Sequence, residues 1–254
     1  MNIYAFIPAR YQSSRFPGKP LAMIHGKPMI RHTYERALAC PELSAVYVAT
    51  DDERILECVK GFGGKALMTR PGHVSGTDRI AEAAQKIGVK DRDLVVNIQG
   101  DQPAFQPEVV STLIKPLVED ESIPMSTLKC RIQDEKEVLN PNHVKVVTDN
   151  RGVALYFSRC AIPFCRDAHS DPAYYKHLGF YCFRMDFLLT FTALPEGKLE
   201  SLEKLEQLRA LENGYRIRVP ESMYDSIEVD LPDDVGAIEE CLKGRPQSAT
   251  PHPQ

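Results

Sequence analysis

Tryptophan is absent from this chain of 254 residues, and so is any pair of cysteines spaced as C-x-x-C. The seven cysteines are an odd number, which argues against a disulfide framework and a cysteine zinc site and favours reduced, mostly buried thiols. No apolar run approaches the roughly 20 residues that cross a membrane. The first apolar run is broken at Pro8 and Arg10, unlike a signal peptide. These absences predict a cytoplasmic protein with no membrane partner.

Strong charge of either sign is also lacking. The net charge of −4 argues against a broad basic face for nucleic acid, but it leaves room for a local basic pocket. Apolar residues make up 43% of the chain, which is enough for a sizeable core. We therefore predict one domain over residues 1–243. Residues 244–254 are polar and proline-rich, and we expect a disordered tail there.

Two common phosphate-binding motifs are missing from the first loop. A predicted strand over residues 3–7 leads into a loop that carries Arg10, Arg15 and Lys19. Pro20 follows Lys19 where a P-loop needs serine or threonine, and no G-x-G-x-x-G follows the strand, so neither a kinase nor a NAD dehydrogenase is expected. Fixed cations in such a loop oppose the charge of a triphosphate, as a nucleotidyltransferase requires. The alternative is a basic loop that only meets solvent.

Strand and helix signals alternate through the first half of the chain. This pattern predicts an α/β fold with a mainly parallel, Rossmann-like sheet, helices on both faces and ligands beyond the carboxyl ends of the strands. The second half is more mixed and predicts a smaller subdomain. The predicted strands cover residues 3–7, 45–50, 65–68, 94–98, 125–129, 144–148 and 154–157, and the predicted helices cover residues 29–39, 54–62, 78–87 (capped by Thr77), 202–213 and 235–242.

Two carboxylates are candidates for chemistry. Asp101 follows the predicted strand over residues 94–98, where an aspartate suits Mg²⁺ held between carboxylate and phosphate oxygens. The alternative is a turn residue that caps a helix. Asp230 precedes Pro232 and, by itself, is typical of a helix N-cap.

Other polar segments are ambiguous from the residues alone. Ser75 and Thr77 either meet a base or ribose at a helix N-terminus or only cap that helix. The aromatic and cationic segments over residues 156–159 and 175–181 suit an acidic sugar, but they suit an ordinary core strand equally. Glu206 and Gln207 lie within the predicted amphipathic helix, whose pattern places them at the surface.

Taken together, these segments resemble the 3-deoxy-manno-octulosonate cytidylyltransferases, also called CMP-Kdo synthetases. The similarity spans residues 3–241. The KHLGFY and LEKLEQLR segments separate this family from the CMP-sialate synthetases. The motifs that carry the resemblance are IPARYQSSRFPGKPL, ATDDERI, SGTDRI, VVNIQGDQP, ALYFSR, KHLGFY, LEKLEQLRALENG and EVDLPDD.

The resemblance implies transfer of CMP from CTP to an acidic 2-keto-3-deoxy sugar, with Mg²⁺ as cofactor and pyrophosphate as product, for lipopolysaccharide biosynthesis. It also implies a homodimer, with sugar-binding and dimerisation segments over residues 125–220. Arg15, Lys19 and Asp101 would serve catalysis, and Asp101 and Asp230 would bind the metal. The nucleotide would contact Arg10, Ser14, Arg15, Lys19, Arg70, Ser75 and Thr77, and the sugar would contact Gln99, Arg159, His177, Tyr181, Glu206 and Gln207.

Three departures from the family pattern leave the sugar open. Gln102 stands in QGDQP where QGDEP is common, and the late motif reads EVDLPDD, with Glu228, instead of GVDTPED. The segment over residues 166–175 is short for the family. The substrate is therefore Kdo or its 8-amino analogue, whose enzymes carry similar endings. A sialate-type cytidylyltransferase and an inactive CTP-binding module are the remaining alternatives.

Overall fold

The computed structural model describes residues 1–13, 15–167 and 172–243. Ser14 and the tail over residues 244–254 lie outside these described residues, so what we predict for them stays a prediction. In the described part of the chain, no helix is both long and apolar enough to traverse a lipid bilayer.

The strands of the described residues build one large sheet and a short hairpin. They are β1 (Ile3–Ala9), β2 (Met23–Ile24), β3 (Lys27–Pro28), β4 (Ala45–Thr50), β5 (Ala66–Met68), β6 (Leu94–Asn97), β7 (Met125–Arg131), β8 (Lys145–Thr148), β9 (Ala154–Ser158), β10 (Tyr175–Arg184) and β11 (Ile217–Arg218). Nine of them form the sheet, in the order β11-β7-β10-β6-β1-β4-β5, with β8 paired to β10 and β9 paired to β8.

The direction of these strands confirms the predicted fold class. Strands β6, β1, β4 and β5 run parallel to one another, and β11 runs parallel to β7. Strand β10 runs antiparallel between β6 and β7. Because β1 and β6 are parallel neighbours, the loops that follow them leave the sheet at the same edge.

Helices cover both faces of the sheet. They are α1 (Met29–Leu38), α2 (Glu53–Gly61), α3 (Gly76–Lys86), α4 (Glu108–Glu119), α5 (Glu135–Leu139), α6 (Met185–Ala193), α7 (Lys198–Glu203), α8 (Leu208–Glu212) and α9 (Asp234–Lys243). Alternate side chains of β1 pack into two different apolar cores. Ala5 and Ile7 pack with residues of α1, α2 and α4, whereas Phe6 packs with residues of α3, α6 and α8. Full burial of a side chain such as Phe6 contributes about 1.5–3 kcal/mol.

The predicted helix over residues 202–213 is wrong as one continuous helix. Helix α7 ends at Glu203, Lys204 adopts a left-handed backbone with φ of 54°, and α8 begins at Leu208. Tertiary contacts outweigh the helical pattern here. The Glu203 carboxylate accepts hydrogen bonds from Ser158 Oγ at 2.7 Å and from the Arg159 amide at 2.9 Å. The break turns Glu206 and Gln207 inward, so their expected surface position is wrong too; Gln207 is 2% exposed.

The predicted cap of the third helix is also corrected. Ser75, not Thr77, is the N-cap of α3: its hydroxyl accepts a hydrogen bond from the Asp78 amide at 3.1 Å, and the Asp78 carboxylate accepts one from the Ser75 amide at 3.2 Å. This reciprocal capping box satisfies two amides at the helix end. Thr77 is therefore released for another contact, described below.

A third apolar cluster joins the C-terminal helix to the hairpin of β2 and β3. Ile24, Met29 and Ile238 are fully buried in this cluster together with Val229. The Asp234 carboxylate accepts hydrogen bonds from the amides of Asp230 and Leu231, both at 2.7 Å. The start of α9 thus fixes the backbone on which Asp230 stands.

Candidate functional site

A cleft of about 500 Å³ opens at the edge of the sheet where β1 and β6 end. The loops after these two strands form two of its walls, and the start of α3 forms a third. Seven residues predicted for the site line this one cleft, namely Arg10, Arg15, Lys19, Ser75, Gln99, Asp101 and Asp230. The predicted clustering beyond the carboxyl ends of the strands is therefore what the fold produces.

Lys19 is the centre of the charge arrangement in this cleft. Its Nζ lies 2.7 Å from Asp101 Oδ2 and 3.8 Å from Asp230 Oδ1, and it donates to the Val229 carbonyl at 2.8 Å. The Val229 amide donates to the Asp101 carbonyl at 2.9 Å. One ammonium and one backbone link therefore hold together the chain segments that carry the two carboxylates.

Arg15 completes the pairing of the second carboxylate. Its guanidinium forms two hydrogen bonds of 3.0 Å with the two oxygens of Asp230. Because Arg15 and Lys19 both engage this carboxylate, Asp230 serves the cleft and does not cap α9, which begins at Asp234. The Arg15 side chain is 62% exposed, which leaves it accessible to an anion in the cleft. Arg10 is exposed at the same wall.

The third wall contains a buried cation that was not predicted. Arg79, 4% exposed, donates to Thr69 Oγ1 at 2.7 Å and to Asp51 Oδ2 at 2.9 Å, and it lines the cleft with His73. The sequence feature that could have identified Arg79 is its place in the SGTDR motif, directly after Asp78. Arg79 ties α3 to the segments after β4 and β5, so it fixes the position of the α3 N-terminus.

A second group of predicted residues lies deeper, along β10. Tyr181 donates to Gln207 Oε1 at 3.0 Å, and His177 Nε2 is 2.8 Å from Thr127 Oγ1. Burial lowers the pKa of His177 to about 3, so the imidazole is neutral at pH 7. Burial raises the pKa of Tyr181 well above its usual value, and the carboxyls of Glu206 and Glu228 add to this effect. Tyr181 therefore stays a neutral hydroxyl between two acids.

Glu206 connects this deeper group with the start of α3. Its Oε2 accepts a hydrogen bond of 2.6 Å from Thr77 Oγ1, the hydroxyl that does not cap the helix. Burial raises the carboxyl pKa of Glu206, and the hydrogen bonds from Thr77 and Ser75 oppose this rise. Glu206 Oε1 and Gln207 Nε2 are buried without a hydrogen-bond partner among the described residues. Two consecutive residues thus offer an unmatched acceptor and an unmatched donor, which suits the hydroxyl groups of a ligand.

Gln99 and Gln102 join the two groups. Gln99 lines the cleft and donates to the Gly179 carbonyl at 3.0 Å. Gln102, fully buried, donates to Glu228 Oε1 at 2.9 Å. Burial raises the carboxyl pKa of Glu228, and the neighbouring Asp101 carboxylate raises it further. Glu228 is an exposed residue, although its hydrogen bond with Gln102 is partly buried.

Two predicted residues stand apart from these groups. The Arg159 guanidinium donates to the carbonyls of Glu203 at 2.6 Å and Pro141 at 2.9 Å, and so braces the break between α7 and α8. Arg70 has a side chain that is 76% exposed and lies in a neighbouring depression that shares His73 with the cleft. Contacts of both residues with substrate stay predictions.

Glu82 anchors the loop between β5 and α3, and its pKa makes that anchor sensitive to acid. Burial raises the pKa of this carboxyl, but hydrogen bonds from Lys86, His73 and the Arg70 amide outweigh burial and lower it to about 2. A lowered folded pKa stabilises the protein above the unfolded value, near 4.5, and this stabilisation is lost as the pH falls toward 2.

We therefore expect Glu82→Gln to lower the free energy of unfolding at pH 7 and to cost progressively less from pH 4.5 downwards. Urea unfolding between pH 3 and pH 7 measures this difference. Glu57→Gln, on an exposed pair with Lys60, is the matched control. A cost of Glu82→Gln that stays constant across this range would contradict the role given to Glu82.

The comparisons with known proteins bear on this geometry. A family model described as "Cytidylyltransferase" matches residues 4–217. The chain belongs to the cytidylyltransferase family. The predicted family and the predicted nucleotidyltransferase class are thereby confirmed, and the basic loop, Asp101 and the start of α3 all lie within the matched residues.

Two named relatives and one solved structure are similar to this chain over nearly its whole length. A 3-deoxy-manno-octulosonate cytidylyltransferase of Syntrophus aciditrophicus (strain SB) is 57% identical over 244 residues, covering 96% of this chain and 98% of its own. An 8-amino-3,8-dideoxy-manno-octulosonate cytidylyltransferase of Shewanella sediminis (strain HAW-EB3) is 55% identical over 244 residues, covering 95% and 99%. A solved structure of CMP:2-keto-3-deoxy-manno-octonic acid synthetase complexed with CTP has a TM-score of 0.90 and 43% identity, covering 96% of this chain and 99% of that one.

Proposed function

We propose that this cytidylyltransferase transfers CMP from CTP to the anomeric hydroxyl of a 3-deoxy-manno-octulosonate, with Mg²⁺ as cofactor and pyrophosphate as the second product. The observation that carries the proposal is the single cleft in which the cations of the first loop meet Asp101 and Asp230. The sugar is either the 8-hydroxy or the 8-amino octulosonate, because relatives of both names are similar to this chain to nearly the same degree.

The cations of the cleft suit the triphosphate of CTP. Lys19 and Arg15 are both held by carboxylates, so their charges are already oriented before a nucleotide arrives. Arg10 adds an exposed cation at the same wall. Charge on pyrophosphate grows as it leaves, and fixed cations stabilise it without reorganising.

The carboxylates fit a magnesium site. Asp101 and Asp230 are hard oxygen donors, and both lie within 4 Å of one ammonium, so they stand close together at the mouth of the phosphate-binding loop. Mg²⁺ typically takes one or two carboxylates and fills its remaining positions with phosphate oxygens and water. When bound, it would supply positive charge to phosphate oxygens and lower the pKa of a coordinated hydroxyl.

The reaction needs no protein nucleophile. The anomeric oxygen of the sugar forms a bond to the α-phosphorus, the bond from that phosphorus to the bridging oxygen breaks, and the hydroxyl proton passes to solvent. Such transfers depend mainly on positioning and charge stabilisation. The residues along β10 and before α8 suit the positioning of the sugar, because neutral His177 and Tyr181 and the unmatched atoms of Glu206 and Gln207 all bond hydroxyl groups.

The setting we propose is the bacterial cytoplasm, where the product would feed lipopolysaccharide assembly. We also propose a homodimer. Large apolar side chains are exposed within residues 125–220, where the resemblance places dimerisation, including Leu155 at 63%, Phe164 at 87% and Leu202 at 81%. Exposed apolar side chains mark an interface where they form one contiguous patch. Sedimentation velocity tests the assembly.

The activity is tested by pyrophosphate release with CTP and Mg²⁺, comparing the 8-hydroxy sugar, the 8-amino sugar and a nine-carbon sialate. Turnover of an octulosonate supports the proposal. Turnover of the sialate alone would assign the chain to the sialate-type enzymes. Binding of CTP without release with any sugar would identify an inactive nucleotide-binding module. The same assay with EDTA tests the need for a divalent metal.

A further inference from the structure

Glu228 is a carboxylate near the cleft that forms no ion pair with the described residues. Asp101 pairs with Lys19, and Asp230 pairs with Arg15. Glu228 forms no ion pair within residues 1–13, 15–167 and 172–243, and its hydrogen-bond donor is the neutral amide of Gln102 at 2.9 Å. A carboxylate that is held by a neutral amide and forms no ion pair can take a cationic ligand group as its charge partner.

Gln102 is built to hold that carboxylate in place. Gln102 is fully buried, and its side-chain Nε2 donates a hydrogen bond to Glu228. Its Oε1 has no hydrogen-bond partner in the described chain. An acid at position 102 would face Glu228 with like charge. The two departures from the family motifs, Gln102 and Glu228, therefore belong to one contact.

Glu228 lies next to the part of β10 that carries the residues we propose to meet the sugar. A side-chain carbon added at Gly179 would lie 3.7 Å from Gln99 Cγ, 3.8 Å from Glu228 Oε1 and 3.9 Å from Gln102 Nε2. Three polar side chains thus converge on a residue of β10 that leaves its own side-chain space open. Gly179 lies between His177 and Tyr181, which we propose to meet the sugar.

The other arrangement that would use such a carboxylate is a cluster of metal ligands. The described residues contain no group of three or more His, Cys, Asp or Glu side chains arranged to hold a metal. An organic cation needs no such convergence, because one carboxylate and one neutral acceptor suffice for an ammonium.

We propose that Glu228, oriented by Gln102, is a specificity-determining residue that accepts an ammonium group of the sugar substrate, so that this enzyme prefers an amino-substituted octulosonate over its hydroxyl counterpart. The inference rests on the proposed function and names its substrate class. An ammonium beside an otherwise unpaired carboxylate forms a charge-assisted hydrogen bond, whereas a hydroxyl in the same place forms a weaker one.

The test compares kcat/KM for the 8-amino and the 8-hydroxy octulosonate in the full-length enzyme with CTP and Mg²⁺. We expect the wild-type enzyme to favour the amino sugar by about 10- to 100-fold, the range of one charged hydrogen bond. Glu228→Gln keeps the shape and removes the charge. It is expected to abolish this preference through a higher KM for the amino sugar, with less than about a threefold change for the hydroxyl sugar. Asp233→Asn, an exposed acid of the same segment, is the matched control and should keep the preference.

Three outcomes would overturn the inference: equal turnover of both sugars by the wild-type enzyme, an equal loss for both sugars in Glu228→Gln, or a higher Mg²⁺ requirement with both sugars. The last outcome would make Glu228 part of the metal site. Absence of turnover with either sugar would instead reject the proposed function. If Glu228→Gln unfolds at the assay temperature, Glu228→Asp is the alternative variant. It keeps the negative charge but shortens the side chain by one methylene group. That variant is expected to keep only part of the preference, and full retention would contradict the contact.

Discussion

Replacing Asp101 by asparagine is expected to lower kcat for pyrophosphate release by about 10²–10³-fold, the usual cost of removing one electrostatic contact that stabilises a transition state. The substitution retains the size of the side chain and removes the negative charge that pairs with Lys19 at 2.7 Å and that we propose to bind Mg²⁺. The backbone contact between the Asp101 carbonyl and the Val229 amide is unaffected by the side chain, so the site should keep its shape.

Steady-state pyrophosphate release at saturating CTP, titrated with Mg²⁺, measures this loss. Asp233→Asn serves again as control, because it removes one negative charge from an exposed position outside the cleft. Thermal melting separates lost chemistry from lost folding. Near-normal turnover of Asp101→Asn at ordinary Mg²⁺ concentrations would show that the metal is held elsewhere.

Arg209→Met is expected to lower the free energy of unfolding by about 3–5 kcal/mol, the cost of breaking a buried ion pair by removing one partner. The Arg209 guanidinium donates to both oxygens of Glu200, at 2.6 and 2.8 Å, and the two side chains are 11% and 9% exposed. Without the cation, Glu200 keeps its bond from the Gly197 amide, at 3.0 Å, but is left as an unpaired buried charge. The pair also joins α7 to α8, which carry the break beside Glu206 and Gln207.

Urea unfolding at pH 7 measures this change. Lys243→Met removes an exposed pair with Glu240 on α9 and should leave the unfolding free energy nearly unchanged. The double substitution Glu200→Gln with Arg209→Met removes both charges, and we expect it to recover part of the lost stability. A double variant as unstable as the sum of the two single ones would argue that the pair acts by packing alone.

Local patterns predicted the elements that a short stretch of chain decides. Strand β1, strand β4 and helix α2 lie within a few residues of their predicted bounds, because alternating or amphipathic apolar residues specify them directly. The same reasoning failed over residues 202–213, where the helical pattern is genuine but Lys204 is left-handed. Contacts of Glu203 with β9 decide that break, and no local pattern records them.

In the candidate site, too, local patterns predicted some residues, and contacts between distant segments decided the others. The cations of the first loop and Asp101 could be predicted, because parallel strands place the loops after β1 and β6 at one edge. The pairing of Arg15 with Asp230 joins residues 215 positions apart, and the pairing of Gln102 with Glu228 joins residues 126 positions apart. The residues alone indicated a helix cap for Asp230, and only the resemblance raised it to a metal ligand.

By itself, the sequence determined that this protein has a mainly parallel α/β sheet and a basic loop after its first strand, because strand periodicity and loop chemistry are local properties of the chain. The resemblance of its motifs indicated the cytidylyltransferase family. Only the tertiary structure decided which charge meets which: that Lys19 joins the segments of Asp101 and Asp230, that Thr77 serves Glu206, and that Glu228 stands open beside Gly179. The physical reason is that partners brought together from distant segments are selected by packing and charge across the whole fold, and no neighbouring residue encodes them.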